Sequence, residues 1–382
     1  MRQTAAAVVV GGGVVGASIA YHLAERGLTD VVVVERGALG SGSTGKSAGG
    51  VRQQFSTDVN CRLSMLSVQK LLRLEVDTGW DPSFRQDGYL FLLTTEEHWQ
   101  LFQRNVELQR SLGLEVQVVS AADVQEMVPP VVVDDVVGAT FCATDGHADP
   151  TQVCLGYAAG ARARGVEIVP ATTVTGIDIQ GGRVSAVVTS GGRIETPLVI
   201  DAAGPWAASI AQLAGVDLPI QPYRRQLYYT ERPEGIGDHA PMVVDFASSM
   251  YFRPEGPGLL LGMTDRSEPS SFNTNTDDVF LALLIEHAVA RVPALEQADL
   301  LSGWAGLYDV TPDANPILGR IPEIEGFVVA AGFSGHGFMH APATGQLIAE
   351  LIVDGTARTI DISSLSVVRF RDGQVQAEQN VI

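Results

Sequence analysis

Two short runs of valine near the N-terminus enclose a glycine-rich turn and a longer apolar segment. The first run, Val8–Val10, leads directly into a Gly-x-Gly-x-x-Gly motif, and the second, Val31–Val34, ends on Glu35. Continuous runs of β-branched residues are typical of strands buried on both faces, and residues 14–26 between them suit a helix. The pattern therefore predicts a strand–helix–strand unit of a parallel sheet, with an acidic residue at the end of its second strand.

The three glycines of this motif meet three different steric demands. Gly11 permits the tight turn after the strand, Gly13 lets the main chain approach a pyrophosphate, and Gly16 lets the helix pack closely on the strand. The helix then directs its first amides at the phosphates, and Glu35 is placed to accept hydrogen bonds from an adenosine ribose. The unit predicts a binding site for an adenine dinucleotide.

Beyond this unit, apolar periodicity predicts an alternation of helices and short strands, with Asp149 or Thr151 capping one helix. The expected helices cover residues 59–76, 96–112, 121–127, 149–164, 277–292 and 341–354. The expected strands cover residues 88–93, 167–169, 174–179, 182–189, 193–195, 198–201, 226–230, 250–253, 258–262 and 326–331. The polar segment after Ser366 is expected to lie at the periphery of the fold.

The order of these elements predicts an α/β fold with two domains interleaved along the chain, because 382 residues exceed the usual size of one hydrophobic core. A Rossmann-like nucleotide-binding domain, discontinuous in sequence, is expected from residues 1–84, 146–217 and 321–382. A second, α+β domain built on an antiparallel sheet is expected from residues 85–145 and 218–320 and would bind the substrate.

Composition narrows the classes of partner. A net charge of −19 argues against nucleic acid and against anionic membrane surfaces as bulk electrostatic partners. The three cysteines have no metal-ligand spacing and indicate a reduced, cytoplasmic protein, and the seven histidines form no metal-binding motif, so no metal is expected. Lys46 and Lys70 are the only lysines, so any role that requires lysine falls on one of these two.

The apolar segment 5–20 has an alternative interpretation as a signal peptide or membrane anchor. Arg2 is the only basic residue before it, its glycines suit neither function, and no stop-transfer run follows. We therefore expect no membrane span, and assign the segment to the strand and helix of the nucleotide site.

Four further motifs, together with the N-terminal unit, resemble those of a known family. They are GSGSTGKSAGGVR at 40–52, DAAGPW at 201–206, GLYDVTPD at 306–313 and AGFSGHGF at 331–338. Over nearly its whole length the chain resembles the D-amino-acid oxidase-like (DAO) flavoproteins. Within them it is most similar to the branch of sarcosine oxidase β-subunits, dimethylglycine dehydrogenases and the β-subunit of L-proline dehydrogenase. The resemblance implies FAD, and the recurrence of small-residue loops agrees with a long ligand wrapped by main chain at several points.

The resemblance also implies which residues contact FAD. Those at the nucleotide end are Gly11, Gly13, Val14, Val15, Gly16, Glu35, Arg36, Val174, Ala203, Gly204 and Trp206. Those along the rest of the cofactor are Ser43, Thr44, Lys46, Ser47, Gly49, Gly50, Gly306, Gly332, Gly335, His336, Gly337, Phe338 and Met339. Taken alone, the segment 203–206 is better explained as a plain strand-to-helix turn; the order of the motifs favours the cofactor.

Four residues are candidates for the chemistry. Arg52 matches the family position that binds a substrate carboxylate, although a structural salt bridge is the commoner role of an arginine. His336 stands between two glycines, which we expect to leave its imidazole little side-chain cover beside the flavin. Tyr251 and Tyr308 are candidate pocket walls, and an ordinary core position explains each of them as well.

Departures from the family pattern refine the prediction. Relatives with covalent flavin carry Cys at the position of Gly306 or His at that of Lys46, so FAD is expected to be non-covalent. Glycine-oxidase-like members carry Arg at the position of Tyr308. Lysines found near the flavin in oxygen-using members are replaced by Leu260 and Met339, which favours a dehydrogenase, unless Lys46 substitutes for them.

The sequence therefore predicts an FAD-dependent amine or amino-acid dehydrogenase. Its substrate is expected to be a secondary or N-methyl amino acid such as sarcosine or proline, oxidised to an imine by hydride transfer to flavin N5, followed by hydrolysis. An oxygen-using oxidase, a non-catalytic flavin-binding subunit of a hetero-oligomer and a nicotinamide dehydrogenase are the alternatives. The electron acceptor and the oligomeric state, homo- or hetero-oligomeric, are not determined by the sequence.

Overall fold

The structure, a computed structural model, describes residues 2–382. The strands are β1 (Ala7–Val10), β2 (Val31–Val34), β3 (Gly50–Val51), β4 (Tyr89–Leu93), β5 (Val116–Val119), β6 (Gly138–Cys142), β7 (Gly146–His147), β8 (Glu167–Val169), β9 (Val174–Gln180), β10 (Arg183–Thr189), β11 (Gly192–Glu195), β12 (Val199–Asp201), β13 (Gln221–Glu231), β14 (Met242–Asp245), β15 (Met250–Glu255), β16 (Gly258–Met263), β17 (Leu300–Val310), β18 (Ile317–Arg320) and β19 (Phe327–Ala331). The helices are α1 (Val14–Glu25), α2 (Asp58–Thr78), α3 (Glu96–Ser111), α4 (Ala121–Met127), α5 (Pro150–Ala163), α6 (Ala207–Gln212), α7 (Asp278–Arg291), α8 (Gly337–Val353) and α9 (Arg369–Asp372).

The first large sheet has the strand order β18-β19-β12-β1-β2-β8 and is parallel except for the β18–β19 pair. Its central strands are buried on both faces, as their valine runs predict. Ala7 and Val9 pack under α1, α5 and α8, whereas Val8 and Val10 face the small sheet β11-β10-β9. The apolar runs therefore place the nucleotide-binding turn between two cores that hold it rigidly.

The second large sheet has the order β17-β13-β16-β15-β14-β4-β6-β5. It is antiparallel except for one parallel pair, β4 with β14, so the predicted antiparallel sheet is in fact mixed. One of its faces packs on α7 through Phe280 and Leu284. Residues of its other face, among them Tyr251 and Leu227, lie toward the parallel sheet. The predicted fold class is confirmed; the exact domain boundaries remain a prediction.

Three expectations about local structure need correction. The long strand β17 was not predicted, because glycines at 303 and 306 interrupt its apolar residues and no regular alternation marks it as a strand. Helix α8 begins at Gly337 rather than at 341, and Pro342 lies inside it, where the proline donates no main-chain hydrogen bond. The segment after Ser366 is not peripheral: Glu378 and Asn380 are buried against α2 and α3.

Candidate active site

A deep cavity of about 1060 Å³ runs between the two large sheets. The parallel sheet contributes the carboxyl ends of β1, β2 and β12, and the mixed sheet contributes β13, β15 and β17. Carboxyl ends of parallel strands are the usual place for a nucleotide in such folds. The volume lies at the upper end of the range for small-molecule sites, which suits a long cofactor together with a small substrate.

The glycine turn after β1 leaves no room for side chains. Gly11 has a φ of +109°, and a Cβ on it would lie 2.4 Å from the carbonyl oxygen of Ala202. A Cβ on Gly16 would lie 2.0 Å from the Gly11 oxygen, so only glycine lets α1 approach the turn. No side chain caps α1 at Gly13, and the Val14 amide donates to the Thr44 hydroxyl. The remaining first-turn amides face the cavity as an anion-binding terminus.

The carboxylate of Glu35 lies at the end of β2, where the sequence predicts it. Its two oxygens accept hydrogen bonds from the amides of Gly12 and Gly37, each at 2.7 Å. The carboxylate thus holds the glycine turn to the loop after β2 and still lines the cavity. This position is compatible with the predicted contact to a ribose.

An aromatic stack closes the same end of the cavity. The guanidinium of Arg36 lies 3.5 Å from the ring centroid of Trp206, and Trp206 stacks on Phe272 with an interplanar angle of 16°. Phe272 belongs to the loop between β16 and α7, and its side chain is half exposed. The stack joins the two parts of the molecule across the nucleotide end of the cavity.

The loop at 40–52 docks on β17. Ser43 donates a hydrogen bond to the Leu307 carbonyl, and the indole of Trp304 donates to the Lys46 carbonyl. A Cβ on Gly306 would lie only 2.7 Å from the Cβ of Lys46. Glycine at 306 therefore lets the loop and the strand close the cavity wall.

The turn between β19 and α8 forms the opposite wall. Gly335 has a φ of +101°, and the ring of Tyr308 packs directly on it. The amide of Gly332 donates to the Asp309 carboxylate at 2.7 Å. Burial raises the pKa of Asp309 to about 6, although main-chain amides oppose the shift. The uncapped first turn of α8, from Gly337, lines the cavity.

His336 is the residue before α8 and is 2% exposed. Contrary to expectation, it has ample side-chain cover, because Phe55 and His340 pack edge-on against its ring at 5.3 and 5.1 Å. Burial, with the charge of Arg52 and the neighbouring imidazole adding to it, lowers its pKa well below the usual range. Its Nε2 has no hydrogen-bond partner among the described residues. The imidazole is therefore neutral at pH 7, and its buried Nε2 is left without a partner.

Arg52 is buried beside this histidine. Its guanidinium lies 4.0 Å from the ring centroid of Phe55 and donates to the carbonyl oxygens of Gln54 and Asn380. No carboxylate of the described residues lies within 4.0 Å of it, since Asp145 and Glu378 hold other partners. The charge is thus held by main-chain oxygens and aromatic faces while the residue lines the cavity.

Tyr251 and Tyr308 project into the same cavity from β15 and β17. Burial raises the pKa of both hydroxyls, so both are neutral phenols at pH 7. The guanidinium of Arg225, on β13, lies 5.1 Å from the ring centroid of Tyr308.

The cavity brings together most of the predicted site residues. Lining it are Gly11, Gly13, Val14, Val15, Glu35, Arg36, Ser43, Thr44, Lys46, Ser47, Gly50, Arg52, Val174, Ala203, Gly204, Trp206, Tyr251, Gly306, Tyr308, Gly335, His336, Gly337, Phe338 and Met339. Gly16, Gly49 and Gly332 do not line it but shape its walls, because a Cβ on any of them would lie 2.5 Å or less from a neighbouring atom. Their roles toward a bound cofactor remain predictions.

Sequence reasoning missed several residues that line the cavity, namely Arg225, Phe272, Asp309, Val381 and Ile382. Arg225 lies in a strand whose side chains point alternately to its two faces. Its neighbour Arg224 is also an arginine, so the sequence does not indicate which of the two faces the cavity. Phe272 lies in an irregular loop, and the last two lie in the segment interpreted as peripheral. Asp309 lies within the motif at 306–313, whereas no local pattern distinguishes the other four residues from ordinary surface positions.

The residues present fit FAD. The fit rests on the glycine turn, which any Cβ at Gly11 would fill, and on the uncapped amides of α1. Gly11, Gly13 and Glu35 would hold the pyrophosphate and ribose, and the 40–52 loop with the first turn of α8 would hold the flavin.

A family model described as FAD dependent oxidoreductase (DAO) matches residues 6–351. Mitochondrial sarcosine dehydrogenase of Mus musculus is 34% identical over 97% of this chain, which spans only 42% of that protein. FAD-dependent oxidoreductase domain-containing protein 1 of Xenopus laevis is 34% identical over 100% of this chain and 85% of its own length.

Solved structures agree with these relatives. L-proline dehydrogenase from P. horikoshii is 34% identical, with a TM-score of 0.92 over 98% of this chain and 100% of that one. Glycine oxidase from Geobacillus kaustophilus is 27% identical, with a TM-score of 0.86 over 96% of this chain and 99% of that one.

Within residues 2–382, no helix is long and apolar enough to cross a membrane, and no group of three or more metal-binding side chains occurs.

Proposed function

Because this chain belongs to the DAO family of FAD-dependent oxidoreductases, we propose that it oxidises a secondary or N-methyl amino acid such as sarcosine or proline. The observation that carries the proposal is the pairing of a neutral, unpartnered imidazole with a buried guanidinium in the cavity. His336 and Arg52 provide one group for an amine and one for a carboxylate. An α-amino acid needs both.

When bound, FAD supplies the oxidising power, accepting two electrons and a proton, as a hydride at N5, from the carbon next to the substrate nitrogen. The substrate is left as an iminium cation, which becomes an imine when its N–H proton passes to water. Water adds to that imine, the carbon–nitrogen bond breaks, and a carbonyl group and an amine remain. The two electrons would finally pass to an external electron acceptor.

His336 would bind the substrate nitrogen. The amine must lose its ammonium proton before its carbon can release a hydride, and Nε2 of a neutral imidazole can hold the free amine by accepting a hydrogen bond from its N–H. Arg52 would hold the carboxylate, and the rings of Tyr251 and Tyr308 would exclude water from the reacting carbon. These roles are geometric: the residues orient the substrate rather than attack it.

A substrate panel followed by flavin absorbance tests the proposal. Holoenzyme is mixed anaerobically with sarcosine, N,N-dimethylglycine, L-proline, D-proline and glycine, and loss of the 450 nm band is recorded. We expect bleaching by at least one secondary or N-methyl amino acid, and slower bleaching by glycine. A cofactor that no amino acid bleaches would support a non-catalytic flavin-binding subunit instead.

A dehydrogenase is favoured over an oxidase. Met339 lines the cavity and Leu260 is buried in the apolar layer beneath it, so neither position supplies a cation near the flavin. Lys46 lines the cavity and is the observation that supports an oxidase. Air admitted after anaerobic reduction separates the two functions, because rapid return of the oxidised spectrum with stoichiometric peroxide would establish the oxidase.

Non-covalent FAD is part of the proposal. Neither Gly306 nor Lys46, which lie in contact, offers the cysteine or histidine that covalent relatives use. Acid precipitation should release all yellow colour into the supernatant.

Cys61, Cys142 and Cys154 are all free and buried, which supports a reducing compartment and the proposed cytoplasmic location.

A further inference from the structure

A second arginine that lines the cavity, Arg225, is only partly exposed and has no counter-ion. Arg225 lies on β13 directly opposite Gly306 of β17. Its Nη1 donates to the main-chain oxygen of Arg224, and its Nε has no acceptor among residues 2–382. No carboxylate among residues 2–382 lies within 4.0 Å of the Arg225 guanidinium. The adjacent Arg224, by contrast, is paired with two acids, Glu268 and Asp277.

The two unpaired arginines flank one aromatic ring. Tyr308 feels the positive charge of Arg225 most strongly and then that of Arg52. Arg225 lies over the face of Tyr308, whereas Arg52 lies against Phe55, on the side of His336. The cavity acids are Glu35, bonded to two amides, and Asp309, bonded to the Gly332 amide. Neither neutralises an arginine.

A charge that is largely shielded from water is stabilised further when an opposite charge approaches it. A substrate with a single carboxylate neutralises one of these guanidinium groups and leaves the other uncompensated. Resting on the proposed function, we propose that the substrate is a secondary amine with two carboxylates, one on each side of the nitrogen. Arg52 binds the carboxylate next to the carbon that is oxidised, and Arg225 binds the carboxylate of the second substituent.

This arrangement gives Arg225 a specificity role. A guanidinium and a carboxylate form charge-assisted hydrogen bonds that a neutral group of equal size cannot replace. The preference for a second carboxylate should therefore depend on charge and not on the size of the nitrogen substituent.

Three compounds isolate that charge. N-(Carboxymethyl)glycine has two carboxylates, N-(carbamoylmethyl)glycine has the same size with one carboxylate, and sarcosine has one carboxylate and no second polar group. We expect kcat/KM for the first to exceed that for the second by about 100-fold, as for a buried charge-assisted pair. Arg225→Gln should bring the ratio of the two kcat/KM values close to one, because it lowers kcat/KM for the dicarboxylate alone. Arg225→Lys should restore part of it.

Arg224→Gln is the matched control, because Arg224 lies on the same strand, pairs with Glu268 and Asp277 and does not itself line the cavity. It should alter thermal stability and leave the substrate ratio unchanged. Equal rates for the dicarboxylate and its amide in the wild-type enzyme would overturn the inference. So would an Arg225→Gln variant that slows all three compounds equally, or one that changes only the flavin midpoint potential.

A binding experiment separates this inference from the proposed function. Thiodiacetate and (methylthio)acetate differ by one carboxylate and contain no oxidisable amine. Titration of the flavin spectrum should give a Kd for thiodiacetate about 100-fold lower in the wild type than in Arg225→Gln, and an unchanged Kd for (methylthio)acetate. Tight thiodiacetate binding without bleaching by any amine would contradict the proposed function alone. Equal binding of both acids would contradict the inference alone.

Discussion

The two ends of the cavity are built from different parts of the polypeptide. At the nucleotide end, main-chain atoms form the surface, and glycines at 11 and 16 leave room for them. At the substrate end, side chains form the surface, and they come from β13, β15, β17, the residue before α8 and the segment after Ser366. A site formed by main-chain atoms requires glycines at fixed spacings in one short segment of the sequence. A site formed by side chains requires only that residues from distant segments come together in the folded protein.

The largest effect is expected at the main-chain end. Gly16→Ala places a Cβ 2.0 Å from the Gly11 oxygen, so α1 or the turn must move. We expect about 3 kcal/mol of destabilisation, as for overpacking against rigid main chain, together with loss of FAD during purification. FAD content and thermal melting measure both. Gly237→Ala, which meets no atom within 4 Å, is the control and should retain FAD. Normal FAD content in Gly16→Ala would contradict a pyrophosphate site at this turn.

Arg52→Gln tests the side-chain end. We expect kcat/KM for an N-methyl amino acid to fall about 100-fold, because the carboxylate loses a charged partner. Oxidation of the corresponding amine without a carboxylate should change little, which separates substrate binding from the structural contacts to Gln54 and Asn380. Arg62→Gln, at an exposed pair with Asp58, is the control and should behave as wild type. Equal losses for acid and amine would assign Arg52 a structural role.

Asp201→Asn addresses the strand end beneath the nucleotide site. Burial raises the pKa of Asp201 to about 8, and its Oδ2 has no partner within the described chain. The folded protein keeps this proton while the unfolded chain releases it above pH 3.8, so its contribution to stability is lost as pH rises toward 8. Asp201→Asn should therefore stabilise the protein by almost nothing near pH 4 and increasingly as the pH rises from 4 to 8. Melting temperatures of both proteins across this range provide the measurement. A difference independent of pH would show that Asp201 is not the titrating group.

Phe272→Ala carries the smallest expected effect. Removing the half-exposed ring that stacks on Trp206 should raise the Kd for FAD about threefold, in line with the energy of a surface aromatic pair. Fluorescence titration of the apoprotein with FAD measures it. Val279→Ala, at an exposed position of α7, should leave the Kd unchanged. An unaltered Kd in Phe272→Ala would limit the nucleotide end to the main-chain contacts and Trp206.

Most of the nucleotide end could be predicted from the sequence, and less of the substrate end. The sequence predicts the positions of the valine strands, the glycine turn and Glu35 directly, because strand periodicity and steric exclusion act between residues close in sequence. Arg225 could not be distinguished from Arg224, since the two differ only in which face of β13 they occupy. The segment after Ser366 was misjudged because its polar composition indicates exposure, whereas Glu378 accepts hydrogen bonds from Ser56 and Thr57 and is buried by them.

The sequence by itself determined the fold class, the FAD-binding turn and the candidates Arg52 and His336, because glycine geometry and motif order leave few alternatives. Only the tertiary structure decided the state of the chemical groups. His336 is neutral because Phe55 and His340 bury it, and Arg225 is unpaired because the acids near β13 bind Arg224 instead. Burial and charge pairing depend on residues brought together from distant segments, and those distances exist only in the folded chain.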